Sequence, residues 1–189
     1  MAGERLRSCG QAVAGVSLRI ARDDGSAAPA GTVGRIQTKG ANVMAGYWNR
    51  PEESAAAFVD GWLDTGDLGR MDEDGFVFIV DRAKDMIITG GENVYSAEVE
   101  NALSAHAAVL EAAVVGLPHP RWGEAVTAAV TIRSGATATE ADLIAHCRTR
   151  LASYKCPKSV RILAALPKSG AGKILKPALR QTLAQDAEA

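Results

Sequence analysis

The chain has 189 residues, 47% of them hydrophobic and 23% charged, with a formal net charge of −1. That length holds one domain and part of a second, and the composition excludes disordered, collagen-like and coiled-coil proteins. No apolar run approaches the ~18 residues a membrane span needs. Charge is unevenly spread. Between Asp142 and Asp186 there is no acidic residue, while nine basic residues run from Arg148 to Arg180, leaving 12 basic against 22 acidic residues elsewhere. Such a one-signed tract either gathers anions such as phosphates or forms a solvated face. Cys9, Cys147 and Cys156 make neither a C-x-x-C pair nor an even disulfide framework, which points to a reducing, cytoplasmic compartment. His106, His119 and His146 lack the spacing of a zinc site.

In chain order, Val16, Leu18 and Ile20 alternate as in a strand, and Asp23-Asp24-Gly25 turns the chain. Val33–Thr38 is a second, weaker strand. Asn49-Arg50-Pro51 precedes a short Ala-rich helix over Glu52–Phe58. The polar turn Asp72–Gly75 leads into the apolar strand Phe76–Val80. This first part is rich in strands and shows no obvious core of its own.

After Asp81-Arg82 the pattern changes. A short strand over Met86–Ile88 meets a Gly90-Gly91 turn, then a helix starts at Ser96, a candidate N-cap, with Val99, Ala102, Leu103 and His106 on one face. Val109–Gly116 and Ala125–Ile132 are buried strands on either side of a Pro118-His119-Pro120 loop. Thr139-x-x-Asp142 has the form of a capping box opening a helix with Leu143, Ile144, Cys147 and Leu151 inward. Val160–Leu163 is a last strand. Leu175, Leu179 and Leu183 repeat on a final helix with Pro177 near its start. The fold class is α+β: three helices on a short mixed sheet, preceded by the strand-rich part.

Several segments could carry chemistry. Ser169–Ile174 fails as a P-loop, because Pro167 and Ile174 stand where Gly and Ser/Thr are required. What remains is Lys173 on a loop with two glycines, either a swinging point charge for phosphate or carboxylate oxygens or an ordinary exposed lysine. Thr65-Gly66-Asp67 offers a carboxylate in a tight turn that could accept bonds from ribose hydroxyls, or is a plain surface turn. Gly90-Gly91 offers bare backbone to a thin ligand, or is a hairpin turn.

Taken in order, Gly46-Tyr47-Trp48-Asn49-Arg50-Pro51, Gly61-Trp62-Leu63-Asp64-Thr65-Gly66-Asp67, the run Asp81–Val94 and Leu166-Pro167-Lys168-Ser169-Gly170-Ala171-Gly172-Lys173 resemble successive signatures of the adenylate-forming superfamily. That superfamily includes acyl- and aryl-CoA synthetases, peptide-synthetase adenylation domains and firefly luciferase. The Lys84–Val94 wording is most similar to fatty-acyl-CoA ligases. Ser96 stands where many relatives have proline.

The resemblance implies an ATP-dependent, AMP-forming acid–thiol ligase whose small C-terminal domain rotates between making an acyl-adenylate and transferring the acyl group to CoA. It implies that Asp67 holds the ribose hydroxyls, Arg82 reaches the nucleotide, Asp81 is the hinge, Lys173 bridges the acyl carboxylate and the phosphate, and Gly90, Gly91 and Glu92 line the pantetheine passage. ATP and CoA are then substrates, Mg2+ accompanies ATP with no ligands identifiable in this chain, and a carboxylic acid, fatty in the closest wording, is the third partner. The superfamily's phosphate loop, aromatic-Gly-x-Thr-Glu motif and acyl pocket have no counterpart in residues 1–45. Residues 1–81 are therefore expected to be the tail of a large N-terminal AMP-binding domain and 82–189 the mobile C-terminal domain, with the N-terminal domain of the same enzyme as partner and no catalysis by this chain alone. The alternative is a non-catalytic binding module that keeps the fold. A nucleic-acid partner is disfavoured, since Tyr154 is the one aromatic residue within the basic tract.

Overall fold

A computed structural model describes residues 2–188. Backbone contacts divide the chain into two units, Met1–Lys84 and Asp85–Ala189.

The first unit comprises α1 (Ala2–Arg5), β1 (Val16–Ala21), β2 (Gly34–Gly40), α2 (Pro51–Ala57), β3 (Phe58–Val59), β4 (Trp62–Met71) and β5 (Val77–Arg82). Its five strands form one antiparallel sheet with β4 as the hub: β2 pairs along one edge, β3 and then β5 along the other. The alternation in β1 places Ile20 against Ile36 and Val77, with Leu18, Ala28 and Met71 around them. A small core thus exists where the sequence shows no obvious one, because its members come from four separate strands and one turn.

The 3-10 turn Ala83–Asp85 spans the division. The second unit continues with β6 (Ile87–Thr89), β7 (Glu92–Val94), α3 (Ser96–Ser104), β8 (Val109–His119), β9 (Gly123–Ile132), α4 (Glu140–Arg148), β10 (Ser159–Ile162) and α5 (Lys176–Glu188). The sheet is mixed. β9 pairs antiparallel with β8 along its whole length on one edge; on the other it pairs parallel with β10 and, at Gly123, antiparallel with β6.

Side chains on successive strand residues point to opposite faces, and here both faces are apolar. Val114, Val126, Ala128 and Val130 join Val99, Leu103, Leu143 and Cys147 in one cluster, under α3 and α4. Ala113, Val115 and Ala129 join Leu166, Leu179 and Leu183 in another, under α5. Strands covered on two faces read as continuous apolar runs, as β8 and β9 do.

Local signals account for several element ends. Thr139 caps α4: its hydroxyl accepts from the Asp142 amide, and the Asp142 carboxylate accepts from the Thr139 amide. Pro118 lies inside β8 rather than in a loop, which the free side of an edge strand tolerates. Ser96 is not a cap. Tyr95 holds that position with no side-chain bond to the helix amides, and Ser96 is the buried first residue of α3. His106 falls beyond the end of α3, where its Nδ1 accepts from the Ala108 amide and its ring meets His146 edge-on.

Leu103 is fully buried in the larger cluster. Leu103→Ala should therefore lower unfolding free energy by about 2–5 kcal/mol, the usual range for a core leucine, measured as a fall in the urea midpoint of the second unit.

Candidate functional site

In the first unit, two of the expected nucleotide-binding residues lie side by side. β4 and β5 pair Asp67 with Arg82, and Arg82 Nε lies 2.7 Å from Asp67 Oδ1. Thr65-Gly66-Asp67 is a bulge within β4 rather than a free-standing turn. The register with β2 passes from Gln37↔Asp64 to Arg35↔Leu68, so four residues of advance on β4 face two on β2. Gly66 takes φ 76°, where a Cβ would be strained.

The bulge is bonded from within. The Gly66 amide donates to Asp64 Oδ1 at 2.8 Å, the Thr65 hydroxyl to the Ile36 carbonyl at 2.9 Å, and the Asp67 amide to Thr65 Oγ1 at 3.2 Å. Arg35 pairs with Asp64 from the neighbouring strand. Burial pushes the Asp64 carboxyl up, but the Arg35 guanidinium, the Gly66 amide and Gln37 outweigh it and hold the group below the usual carboxylate range. Arg35 carries no motif signal; only the pairing of β2 with β4 brings it to the site.

Asp81 is buried, sits opposite Leu68, and accepts the Arg82 amide on Oδ1 at 2.7 Å. Its backbone is fixed inside the sheet. The first residues beyond β5 form the turn Ala83–Asp85.

In the second unit, Thr89 pairs with Glu92, so Gly90-Gly91 is a two-residue loop with φ 61° and 85°. Positive φ at both central residues defines a primed hairpin turn. The Gly90 amide donates to the Trp122 carbonyl at 2.8 Å, tying the turn to the β8–β9 hairpin. A Cβ at either glycine would meet nothing within 4 Å. The glycines are therefore needed for backbone conformation, and the space beside them is open. Glu92 is exposed at the start of β7.

Lys173 stands on a second small hairpin. Lys168 bridges to Ile174, the Ser169 amide donates to the Lys173 carbonyl at 2.8 Å, and the Leu175 amide donates to the Pro167 carbonyl at 2.8 Å. Leu166 and Ile174 root this hairpin in the cluster under α5, while Lys173 itself is exposed.

The basic tract is less one-signed than its sequence. Lys155, Lys168, Lys176 and Arg180 pair with Glu98, Glu111, Glu100 and Asp85. Lys158 lies over the Trp122 ring, 4.9 Å from its centroid. Lys173 takes part in none of these pairs.

Among the described residues, no group of three or more His, Cys, Asp or Glu is arranged to hold a metal ion. Burial pushes the Cys147 thiol up to about 11 and raises that of Cys156 as well, which keeps both protonated and unreactive. No helix among the described residues is long and apolar enough to cross a membrane.

Residues 98–173 match the family model of the AMP-binding enzyme C-terminal domain. The chain carries an AMP-binding enzyme C-terminal domain. Its relatives include acid–CoA ligases. A feruloyl-CoA synthase of Amycolatopsis sp is 47% identical over 178 residues, covering 94% of this chain and 36% of the relative. A long-chain-fatty-acid–CoA ligase of Yersinia pestis is 46% identical over 173 residues, covering 92% and 31%. The solved structure of o-succinylbenzoate CoA synthetase from Bacillus subtilis, in complex with the acyl-adenylate intermediate OSB-AMP, matches with TM-score 0.88 and 39% identity, covering 95% and 36%. The chain thus spans about a third of the length of these relatives. The matched span of the AMP-binding enzyme C-terminal domain begins inside α3 and ends at Lys173.

Two tests follow from the geometry. Gly91→Ala should lower stability by about 1–2 kcal/mol, the cost of a left-handed L-residue, as read from thermal unfolding. The Asp64 carboxyl is lowered in the folded state, so its contribution is present above the ordinary carboxylate pKa and is lost as pH falls through the folded value. Asp64→Asn should accordingly flatten the acid limb of the stability–pH profile and leave the slope near neutrality unchanged.

Proposed function

We propose that this chain supplies nucleotide-, lysine- and thiol-handling parts of an ATP-dependent, AMP-forming acid–CoA ligase. The observation that carries this reading is the exposed Lys173 on a rooted hairpin, at the end of the segment matched by the AMP-binding C-terminal domain.

In the first half-reaction a carboxylate oxygen attacks the α-phosphorus of ATP and the bond to pyrophosphate breaks. Negative charge builds on the oxygens between the two reactants. A lysine ammonium there stabilises the transition state more than the ground state, which is the role proposed for Lys173. Arg82 holds one oxygen of Asp67, and the carboxylate has a second to accept from the ribose hydroxyls. Mg2+ enters with the phosphates of ATP.

In the second half-reaction the CoA sulfur attacks the acyl carbonyl and AMP leaves. The open side of the Gly90-Gly91 turn gives a thin pantetheine arm room to pass, with Glu92 at its edge. We place the pivot between the two states at the end of β5, with Asp81 as its anchored side and Ala83–Asp85 as the segment that changes conformation. The substrate class is a carboxylic acid. Fatty acids are one candidate, supported by likeness to the Yersinia pestis relative, and the feruloyl and succinylbenzoyl names of other relatives make aromatic acids another.

In a complete ligase carrying this domain, Lys173→Ala should slow adenylate formation about 10²- to 10³-fold, the scale of losing one transition-state donor. Thioester formation from supplied acyl-adenylate should continue at the parent rate. The two rates are measured separately, by acid-dependent pyrophosphate exchange and by CoA-dependent AMP release. Equal loss in both assigns the lysine to the fold instead.

A further inference from the structure

Lys173 poses a mechanical problem. Its ammonium sits at the end of a long flexible stem on an exposed hairpin, yet transition-state stabilisation requires placement to a fraction of an ångström. The apolar contacts of Leu166 and Ile174 hold the hairpin down on the sheet. Apolar contacts are non-directional, so they resist detachment better than they resist sliding or twisting.

Directional contacts are made at both ends of the hairpin. Lys168 Nζ lies 2.6 Å from Glu111 Oε1 on β8, which ties the hairpin to the sheet but not to α3. A second set is made three residues beyond Lys173. Lys176 Nζ lies 2.7 Å from Glu100 Oε1 and donates to Ser96 Oγ at 2.7 Å. The same Glu100 oxygen accepts the Val114 amide at 2.9 Å. The Lys176 and Glu100 side chains are only 15% and 23% exposed. A partly buried pair of this kind contributes little net stability, because desolvation offsets attraction. Its directional bonds fix relative position instead. They join the first residue of α5 to the first turns of α3 and to the free side of β8.

Ser96 follows the return strand of the Gly90-Gly91 hairpin by a single residue, Tyr95, after β7 ends at Val94. The lysine hairpin and the glycine hairpin are therefore rooted on the same helix start. We propose that Lys176, Glu100 and Ser96 are positioning residues. They lock the Lys173 hairpin to the root of the Gly90-Gly91 turn, so that the two elements move as one piece. The kinetic part of this inference rests on the catalytic reading of Lys173 given above; the anchoring part does not.

The test uses the 189-residue chain first. Amide hydrogen exchange is followed over residues 169–175 and over the β8–β9 core in Lys176→Met, Glu100→Gln, Ser96→Ala and the conservative Lys176→Arg. Exchange over 169–175 should rise about tenfold in Lys176→Met and Glu100→Gln, less in Ser96→Ala, and return towards the parent in Lys176→Arg, with the β8–β9 core unchanged. Unchanged exchange over 169–175, or an equal rise through β8 and β9, overturns the anchoring.

In a complete ligase, Lys176→Met should lower kcat for adenylate formation about tenfold with KM for ATP and the thioester half-reaction unchanged, since only the placement of Lys173 is disturbed. Equal loss in both half-reactions overturns the positioning role. A local exchange response combined with a silent Lys173→Ala overturns the catalytic reading, and the kinetic role with it, while upholding the anchoring.

Discussion

β9 must be covered on both faces, and most of the second unit follows from that need. Val126, Ala128 and Val130 point one way and Ala129 the other. Water must be removed from both sides, so α3 and α4 close one face and α5 the other. The chain can reach α5 only after passing along β10 and the lysine hairpin, because α4 and α5 lie on opposite sides of the sheet. The place of Lys173 is thus a consequence of burying Ala113, Val115 and Ala129 under Leu179 and Leu183. A defect in that layer would act on Lys173 without touching it.

The same layering sorts the charges. Glu98, Glu100 and Glu111 lie on α3 and β8, and each takes a cation from the tract that is acid-free in sequence. Pairs made across the fold leave a few cations outside the network, Lys173 among them. A cation already paired would have to break a bond before meeting a phosphate. Lys173 needs no such step, which separates it from Lys168 and Lys176 on the same short stretch even though all three are lysines within nine positions.

Features set by neighbours in sequence were the legible ones. The Gly90-Gly91 turn and the Thr139–Asp142 capping box depend on residues within four positions, and their backbone geometry is that expected of their sequences. Features set by remote partners were not. Thr65-Gly66-Asp67 has the composition of a turn, and only the register of β2 against β4 makes it a bulge. Ser96 has the composition of a cap, yet helix α3 begins one residue earlier than a cap there would allow, and its hydroxyl meets Lys176, 80 residues away. Arg35 and Glu100 gave no signal for the same reason. β7 is three residues long, too short for a periodicity to show. The superfamily motifs lie at the Gly90-Gly91 turn, at the Lys173 hairpin and at the β4 bulge, and local sequence shapes the backbone of the first two but not of the third.

Asp67, the Gly90-Gly91 turn and Lys173 share one design. Each is an irregularity held by ordered neighbours: a bulge inside a strand, a two-residue loop between paired strands, and a hairpin rooted in a core cluster. Regular strands commit half of their side chains to the core, where no substrate can reach them. Fully irregular loops expose side chains but fix none. An irregularity one or two residues long, flanked by bonded backbone, exposes a functional group while leaving little conformational entropy to be lost when a substrate binds. For Lys173 the flanking backbone bonds end at Leu175, and it is the side chain of Lys176 that carries the restraint onward to α3.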